Sequence, residues 1–327
     1  MKALVTGGTG FIGSHLVEEL LVRGFEVTCL VRDPLNLNWL NGPCCGKDIR
    51  FVRGDCRDPE SLVGRLDGAE YVFHLAGVTK AARSREYYNA NAEGADNIAK
   101  AAAQAGVRKF VHVSSQAAAG PSSAGVPRRE EDPPMPVSDY GRSKLLGEQN
   151  VLGLKDAMDV AVVRPTAVYG PRDRDVYEFF RMVGRGFRTS FADERLISIC
   201  HVEDLVDGIM RAALKNTRSG DVFFISGDRP YTWDEIGEAI SEAVGRKATR
   251  VVLPLAALSA VAIASEAVSL ITRRPALLNR QKVQEVRQRY WVADTARAKE
   301  QLGFSASINF ADGARQTARW YRENGWL

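Results

Sequence analysis

The sequence predicts an α/β protein: a doubly wound parallel sheet followed by a smaller, mostly helical C-terminal lobe. Three observations point there. Short apolar runs alternate with amphipathic stretches through the first half of the chain. A glycine-rich turn at residues 7–13 separates the first apolar run from the first amphipathic stretch. After Arg164 the alternation loosens and helical patterns dominate.

In order, Ala3–Thr6, Val27–Val31, Ile49–Val52, Tyr71–Leu75 and Phe110–Val113 read as buried strands. Ile12–Arg23, Pro59–Leu66 and Tyr87–Ala105 read as helices between them, followed by helix Tyr140–Leu154 and strand Val160–Val163. Repeated βα alternation implies right-handed crossovers, hence a parallel sheet with helices on both faces. A first domain is expected over 1–165 and a second over 166–327, the second returning strands to the main sheet. The second carries helical patterns at Val176–Gly184, Val202–Leu214, Thr232–Val244, Leu255–Ile271, Thr295–Leu302 and Phe310–Asn324, with strands near Ile197–Ile199 and Val222–Ile225. Gly120–Ser138 holds five prolines and reads as a loop.

The 327 residues are 45% hydrophobic and 26% charged, with a net charge of +4. That balance is globular, and it argues against nucleic acid as a main partner. The cysteines, Cys29, Cys44, Cys45, Cys56 and Cys200, are odd in number and form no CxxC, which fits a reducing compartment. A vicinal Cys44–Cys45 bridge would be strained. Met1–Val5 offers no apolar signal region, so a cytoplasmic location is expected. The longest apolar stretch, Val251–Ile271, is interrupted by Pro254 and Glu266, and a span needs roughly 20 apolar residues. It reads as a core or substrate-covering helix; peripheral membrane contact is the other reading, with Arg273 and Arg274 at its end.

Thr6-Gly7-Gly8-Thr9-Gly10-Phe11-Ile12-Gly13 follows the first strand and opens the first helix. Glycine there allows a sharp turn and close approach of a pyrophosphate, and the helix N-terminus presents free N–H groups. This is the setting of a Rossmann-type dinucleotide site, expected to use Gly7, Gly10, Phe11, Ile12 and Gly13. Both Gly8-x-Gly10-x-x-Gly13 and Gly7-x-x-Gly10-x-x-Gly13 fit. The second spacing is that of the short-chain dehydrogenases/reductases, and the chain resembles their extended branch over nearly its whole length. Arg164-Pro165-Thr166-Ala167-Val168-Tyr169-Gly170-Pro171 resembles that branch's RPxxVYGP signature, and His201-Val202-Glu203-Asp204-Leu205 its HVxDL signature.

The second strand ends Val31-Arg32-Asp33-Pro34. An acidic residue about 20 positions past the glycines would hold the ribose of NAD; an Arg suits the added phosphate of NADP. Val31 stands where the family carries the acid, so Arg32 points to NADP, while Asp33 keeps NAD open. The resemblance implies further cofactor contacts from Asp55 and Cys56, from Leu75, Ala76 and Gly77, and support of the active site by Asn91. His74 by itself is commonly a satisfied core histidine.

Tyr140-Gly141-Arg142-Ser143-Lys144 places a phenol and an ammonium four residues apart, on one helix face. A free phenol has a pKa near ~10, and a neighbouring cation favours phenolate. Ser115 closes the Val111–Ser115 run, 25 positions before Tyr140. By resemblance, Ser115 binds the reacting oxygen, Tyr140 exchanges its proton, and Lys144 also holds the nicotinamide ribose. Sugar dehydratases of the branch carry Asp-Glu where this chain has Gln116-Ala117. Its sugar epimerases carry a phosphate-binding Arg where this chain has Ile197, with Arg195 two positions away. The resemblance is strongest to dihydroflavonol reductase and 3β-hydroxysteroid dehydrogenase-like members. It implies an oxidoreductase acting on a secondary alcohol or ketone of a rather apolar molecule, as a homodimer. A nucleotide-sugar 4-epimerase and a cofactor-binding structural subunit are the other readings. The stretch 251–271 is expected to show apolar side chains to the substrate, and no two of Arg172, Arg174, Arg195 and Arg246 are expected to converge on the cleft.

Overall fold

A computed structural model describes residues 1–41, 49–272 and 279–327. Cys44, Cys45, Arg273 and Arg274 lie outside the described residues. The first half runs β1 (Lys2–Thr6), α1 (Phe11–Val22), β2 (Glu26–Val31), β3 (Ile49–Arg53), β4 (Tyr71–His74), α2 (Ser84–Tyr88), α3 (Gly94–Gln104), β5 (Lys109–Val113), α4 (Gln116–Ala119), α5 (Asp139–Leu152) and β6 (Asp159–Pro165). The second runs β7 (Ala167–Tyr169), α6 (Tyr177–Gly184), β8 (Phe187–Ser190), β9 (Leu196–His201), α7 (Val202–Leu214), β10 (Asp221–Ile225), β11 (Pro230–Thr232), α8 (Trp233–Val244), β12 (Thr249–Val252), α9 (Leu255–Thr272), α10 (Arg280–Arg287), β13 (Tyr290–Trp291) and α11 (Phe310–Glu323).

Seven parallel strands form the main sheet in the order β10-β6-β5-β4-β1-β2-β3. β10 is the strand that the second half returns. One face of the sheet buries Leu16, Val17 and Leu20 of α1 with Leu205 and Ile209 of α7. The other buries Ala95, Ile98 and Ala102 of α3 with Val151 of α5. Both faces being covered explains why these strands read as continuous apolar runs. A third core, around Tyr169, Phe180, Ile240, Phe310 and Tyr321, holds the second half together. The strand order reverses at β1, so the crevice for a ligand lies at the carboxyl ends of β1 and β4.

Four expectations change. Pro59–Leu66 is only a 3₁₀ turn at Pro59–Leu62, capped by Asp58, and Gly64 at φ +68° turns the chain away. Tyr87–Ala105 is α2, a π-type turn at Asn89–Glu93, and α3. A π-type turn also replaces most of the helix expected at Thr295–Leu302. Helix α10 has no counterpart in the sequence reading. Among the described residues, no helix is long and apolar enough to cross a membrane.

Candidate active site

The glycine turn is forced by close packing. Gly7 sits at φ +74°, and a Cβ there would meet Ala76 N at 2.6 Å. A Cβ at Gly13 would lie 2.1 Å from Gly7 O. Gly10 caps α1 without a side-chain bond, which leaves the first-turn amides beginning at Phe11 and Ile12 to an outside acceptor. Leu75 N donates to Thr6 O at 3.1 Å, and Ala76 N to Thr6 Oγ1 at 3.3 Å. The turn and the Leu75–Gly77 segment thus meet at the sheet's crevice. A pyrophosphate fits this bare helix end.

At the end of β2, Arg32 is exposed. Asp33 Oδ1 accepts from Leu35 N at 2.9 Å, so its carboxylate serves its own turn. Asp55 is held by Arg57 at 2.6 Å, and that bond keeps its carboxyl below the ordinary range. Burial pushes the Cys56 thiol up to about 12, which keeps it protonated.

The chemistry-bearing residues converge. Ser115 caps α4, and its Oγ accepts from Ala117 N at 3.1 Å. It also faces the Tyr140 hydroxyl closely enough to favour the phenolate. Tyr140 lies one residue into α5, which Ser138 caps through Gly141 N at 3.0 Å. Lys144, one turn on, is buried and donates to Val113 O at 2.8 Å. Burial pulls its ammonium down to about 8, and Glu148 a further turn on works against that. Asn91, in the π-type turn, accepts from Val78 N at 2.8 Å and donates to Ser143 Oγ at 3.0 Å. That turn holds Asn91 against α5.

The expected lowering of the Tyr140 phenol does not hold in this structure. Burial pushes it up and outweighs the effect of Ser115. The phenol is therefore protonated at neutral pH, the state that can give a proton to a developing alkoxide.

The two signature motifs are structural anchors. Arg164 binds Glu148 with Nε and Nη2, at 3.0 and 2.7 Å, and Ser114 Oγ donates to the same carboxylate. This buried network fastens α5 to β5 and β6 below Lys144. His201 caps α7, and Asp204 accepts from Ser307 N at 2.9 Å and Ile308 N at 3.1 Å. His74 shares a 2.7 Å hydrogen bond with Thr6 and stacks on His112. Burial holds both imidazoles neutral, His74 down to about 3, so they are core groups.

The opposite wall of the cleft comes from α10, which sequence reasoning missed. Glu285 Oε1 accepts from Ser138 Oγ at 2.7 Å, and Gln281 Oε1 accepts from Asp139 N at 2.6 Å. Lys282 pairs with Glu285 at 3.0 Å, and both charges act on the Tyr140 phenol. A cavity of about 470 Å³ lies between Ala81–Tyr87 and this wall, lined also by Glu266, Arg280, Gln281 and Gln284. The Tyr87 ring packs edge-on to Tyr140 at 6.2 Å. Among the described side chains of 251–266, Glu266 borders this cavity and the expected apolar ones do not.

The four arginines stay apart in their contacts. Arg172 binds Glu18 at 2.6 Å, Arg174 lies over Trp326, and Arg246 donates to Gly184 O at 2.6 Å. Arg195 is buried against Asp193 at 3.1 Å and bonds the backbone of Val286.

With that geometry in view, the profile of the NAD dependent epimerase/dehydratase family matches residues 3–226. The chain belongs to this family. It is 31% identical over 326 residues to the ceramide reductase of Caulobacter vibrioides, covering 99% of this chain and 95% of that one. It is 28% identical to the sterol demethylase protein B of Methylococcus capsulatus, over 100% of both chains. Among solved structures, MoeE5 in complex with UDP-glucuronic acid and NAD superposes with a TM-score of 0.79 at 26% identity, covering 99% of this chain and 100% of that one. The relatives are reductases, dehydrogenases, dehydratases and epimerases, and this member is an enzyme of the same NAD(P)-dependent kind.

Proposed function

We propose that the enzyme is an oxidoreductase transferring hydride between NADP and a secondary alcohol or ketone of a rather apolar small molecule. The observation that carries the reaction type is the Ser115–Tyr140–Lys144 group, joined to the bare helix end through Leu75–Gly77: a Cβ on Gly77 would lie 3.9 Å from Lys144 Nζ, and one on Gly7 2.6 Å from Ala76 N. In this reading residues 1–165 hold the cofactor, which supplies or accepts the hydride, and residues 166–327 form the substrate lobe. Gly7, Gly10, Phe11, Ile12 and Gly13 meet its pyrophosphate. Arg32 meets the 2′-phosphate, Asp55 and Cys56 flank the adenine end, and Leu75, Ala76 and Gly77 pass beside it. Lys144 orients its ribose, supported by Asn91. Ser115 holds the substrate oxygen and Tyr140 moves its proton. The preference for NADP is supported by Asp33, whose carboxylate is engaged by Leu35 N, and by the exposure of Arg32. A cytoplasmic homodimer, paired through the segments Tyr87–Ala105 and Tyr140–Leu154, completes the reading.

The apolar substrate is supported by the relatives that carry ceramide and sterol in their names. Nucleotide-sugar epimerisation is the competing reading, favoured by the UDP-sugar in the MoeE5 structure. Against it stands Arg195, already paired with Asp193, and Ile197 in β9 where an epimerase carries its phosphate-binding Arg.

Thermal-shift screening with cofactor present compares UDP and UDP-sugars with steroid-like and long-chain ketones. A ligand at roughly 100 times its Kd adds ~2.7 kcal/mol of stability. A shift with UDP and none with the ketones replaces this reading by the epimerase. Calorimetric titration tests the cofactor. NADP is expected to bind more tightly than NAD, and Arg32→Ala is expected to remove that preference. An unchanged preference makes Arg32 a solvated strand end.

A further inference from the structure

The two faces of α9 differ both in what they touch and in how polar they are. Inward, Ser259 accepts from Arg287 at 3.3 Å, Glu266 pairs with Arg280 at 2.6 Å, and Ala262 between them is fully buried. Outward, Ala256, Ala257, Ala260, Val261, Ile263 and Ala264 are exposed, Val261 by 54% and Ile263 by 58%. At 3.6 residues per turn these six fall on one continuous face. That face carries no charge and no hydrogen-bonding side chain. A helix on the surface of a soluble domain ordinarily turns its polar residues outward. The exposed apolar surface begins before the helix, at Val251 and Val252 of β12, which leads directly into it.

The charge around this helix is as uneven as its hydropathy. Between Arg246 and Arg289 the sequence holds nine Lys/Arg against two Glu, a net +7 in a chain whose total is +4. The remainder is therefore net acidic. Arg246, Lys247 and Arg250 stand exposed before the helix, and Arg280, Lys282 and Arg287 stand exposed on α10, which packs against it. An apolar face with cationic flanks matches an anionic lipid surface, where acyl chains take the apolar side chains and phosphates the cations. A second copy seated on the same face would bring two strongly basic segments together, a like-charge contact that costs affinity.

We propose that the outer face of α9, with its basic flanks, docks this protein on the surface of an anionic phospholipid bilayer. The helix lies in the plane of the interface and does not span it. Because Glu266 of α9 also borders the cavity beside Tyr87, docking sets the bilayer near that cavity. The binding itself is independent of the substrate or cofactor the enzyme uses.

The test is sedimentation of the full chain with vesicles of phosphatidylcholine, alone or with about one third phosphatidylglycerol. Binding is expected to the mixed vesicles, about tenfold or more weaker to phosphatidylcholine alone, and weaker again in high salt. Val261→Glu with Ile263→Glu is expected to reduce binding about tenfold or more while leaving the melting temperature and cofactor affinity unchanged, since both side chains are exposed. Lys247→Glu is expected to weaken it less. No sedimentation with the mixed vesicles overturns the proposal, as does equal binding by the double variant. Sedimentation velocity closes the remaining route: a dimer that the double variant turns into monomer, without vesicle binding by either form, assigns the face to a second copy and overturns the bilayer.

Discussion

The cleft has two walls built on different principles. One is rooted in the core: Lys144 and Glu148 are buried on α5, and Ser115 follows the end of β5. Lys144 bonds Val113 O at 2.8 Å and Glu148 bonds Arg164 at 2.7 Å, both partners on strands of the main sheet. The other wall, α10, reaches the same tyrosine from the far end of the chain. Gln281 and Glu285 hold it to Ser138 and Asp139, but Lys282 keeps 59% of its side chain exposed. On the proposed function the first wall performs the proton transfer and the second adjusts it. Substitutions on the two walls should differ accordingly in size and in kind.

The largest effect is expected from Tyr140→Phe. The ring stays and the hydroxyl goes, so turnover should fall by the ~10²–10⁴ typical of losing a general acid or base, with cofactor affinity nearly unchanged. Lys144→Ala should weaken turnover and cofactor binding together. Steady-state kinetics beside calorimetry separates the two patterns, and wild-type turnover in Tyr140→Phe removes the tyrosine from the chemistry.

Next is Glu148→Gln, which strips the buried partner from Arg164. Leaving a buried guanidinium uncompensated costs about 3–5 kcal/mol, readable by denaturant unfolding. The same change removes the charge that holds the Lys144 ammonium up. Burial already lowers that group to about 8, so activity that requires charged Lys144 should decline as pH rises through about 8. In Glu148→Gln the decline should begin at lower pH. Adding Arg164→Met should restore much of the stability but leave the alkaline limb displaced. A limb that returns with stability would make Glu148 purely structural.

The same contrast explains what could be read from the sequence. The first wall was legible because each part is local: a turn with its glycines, a strand ending in Ser115, a helix with Tyr140 and Lys144 one turn apart. The sheet was legible because its strands are buried on both faces. α10 was not, since Arg280–Arg287 has only Val283 and Val286 as apolar residues, and its register is set by bonds to Ser138 and Asp139 more than 140 positions away. Asn279 before it, whose side chain accepts from Lys282 N at 2.8 Å, was the available signal: a capping residue ahead of a polar stretch. For α9 the sequence left two readings open, a core or substrate-covering helix and peripheral membrane contact. Apolar periodicity marks a buried helix, and nothing in the pattern distinguishes burial in protein from exposure. The role of Glu148 was hidden in plain spacing, one turn beyond Lys144, because its partner Arg164 sits on another element.

The smallest effect belongs to the α10 wall, and its sign makes it decisive. Lys282 and Glu285 act on the Tyr140 phenol in opposite directions: the ammonium favours phenolate and the carboxylate opposes it. Lys282→Gln should therefore move the phenol's titration to higher pH, and Glu285→Gln to lower pH. Glutamine at 285 keeps a carbonyl that can still accept from Ser138 Oγ, so the cap of α5 survives and the comparison isolates charge. Exposure of Lys282 screens the interaction, and each variant should change the rate of alcohol oxidation at fixed pH by about fivefold or less. Oxidation is the direction to measure, because it calls on the tyrosine as base. Opposite displacements of the pH–rate profile, shrinking together as salt is raised, would show that α10 tunes the proton donor through space. Displacements of the same sign would mean that both variants act by loosening the helix from Ser138 and Asp139, and the second wall would then be a clamp without an electrostatic role.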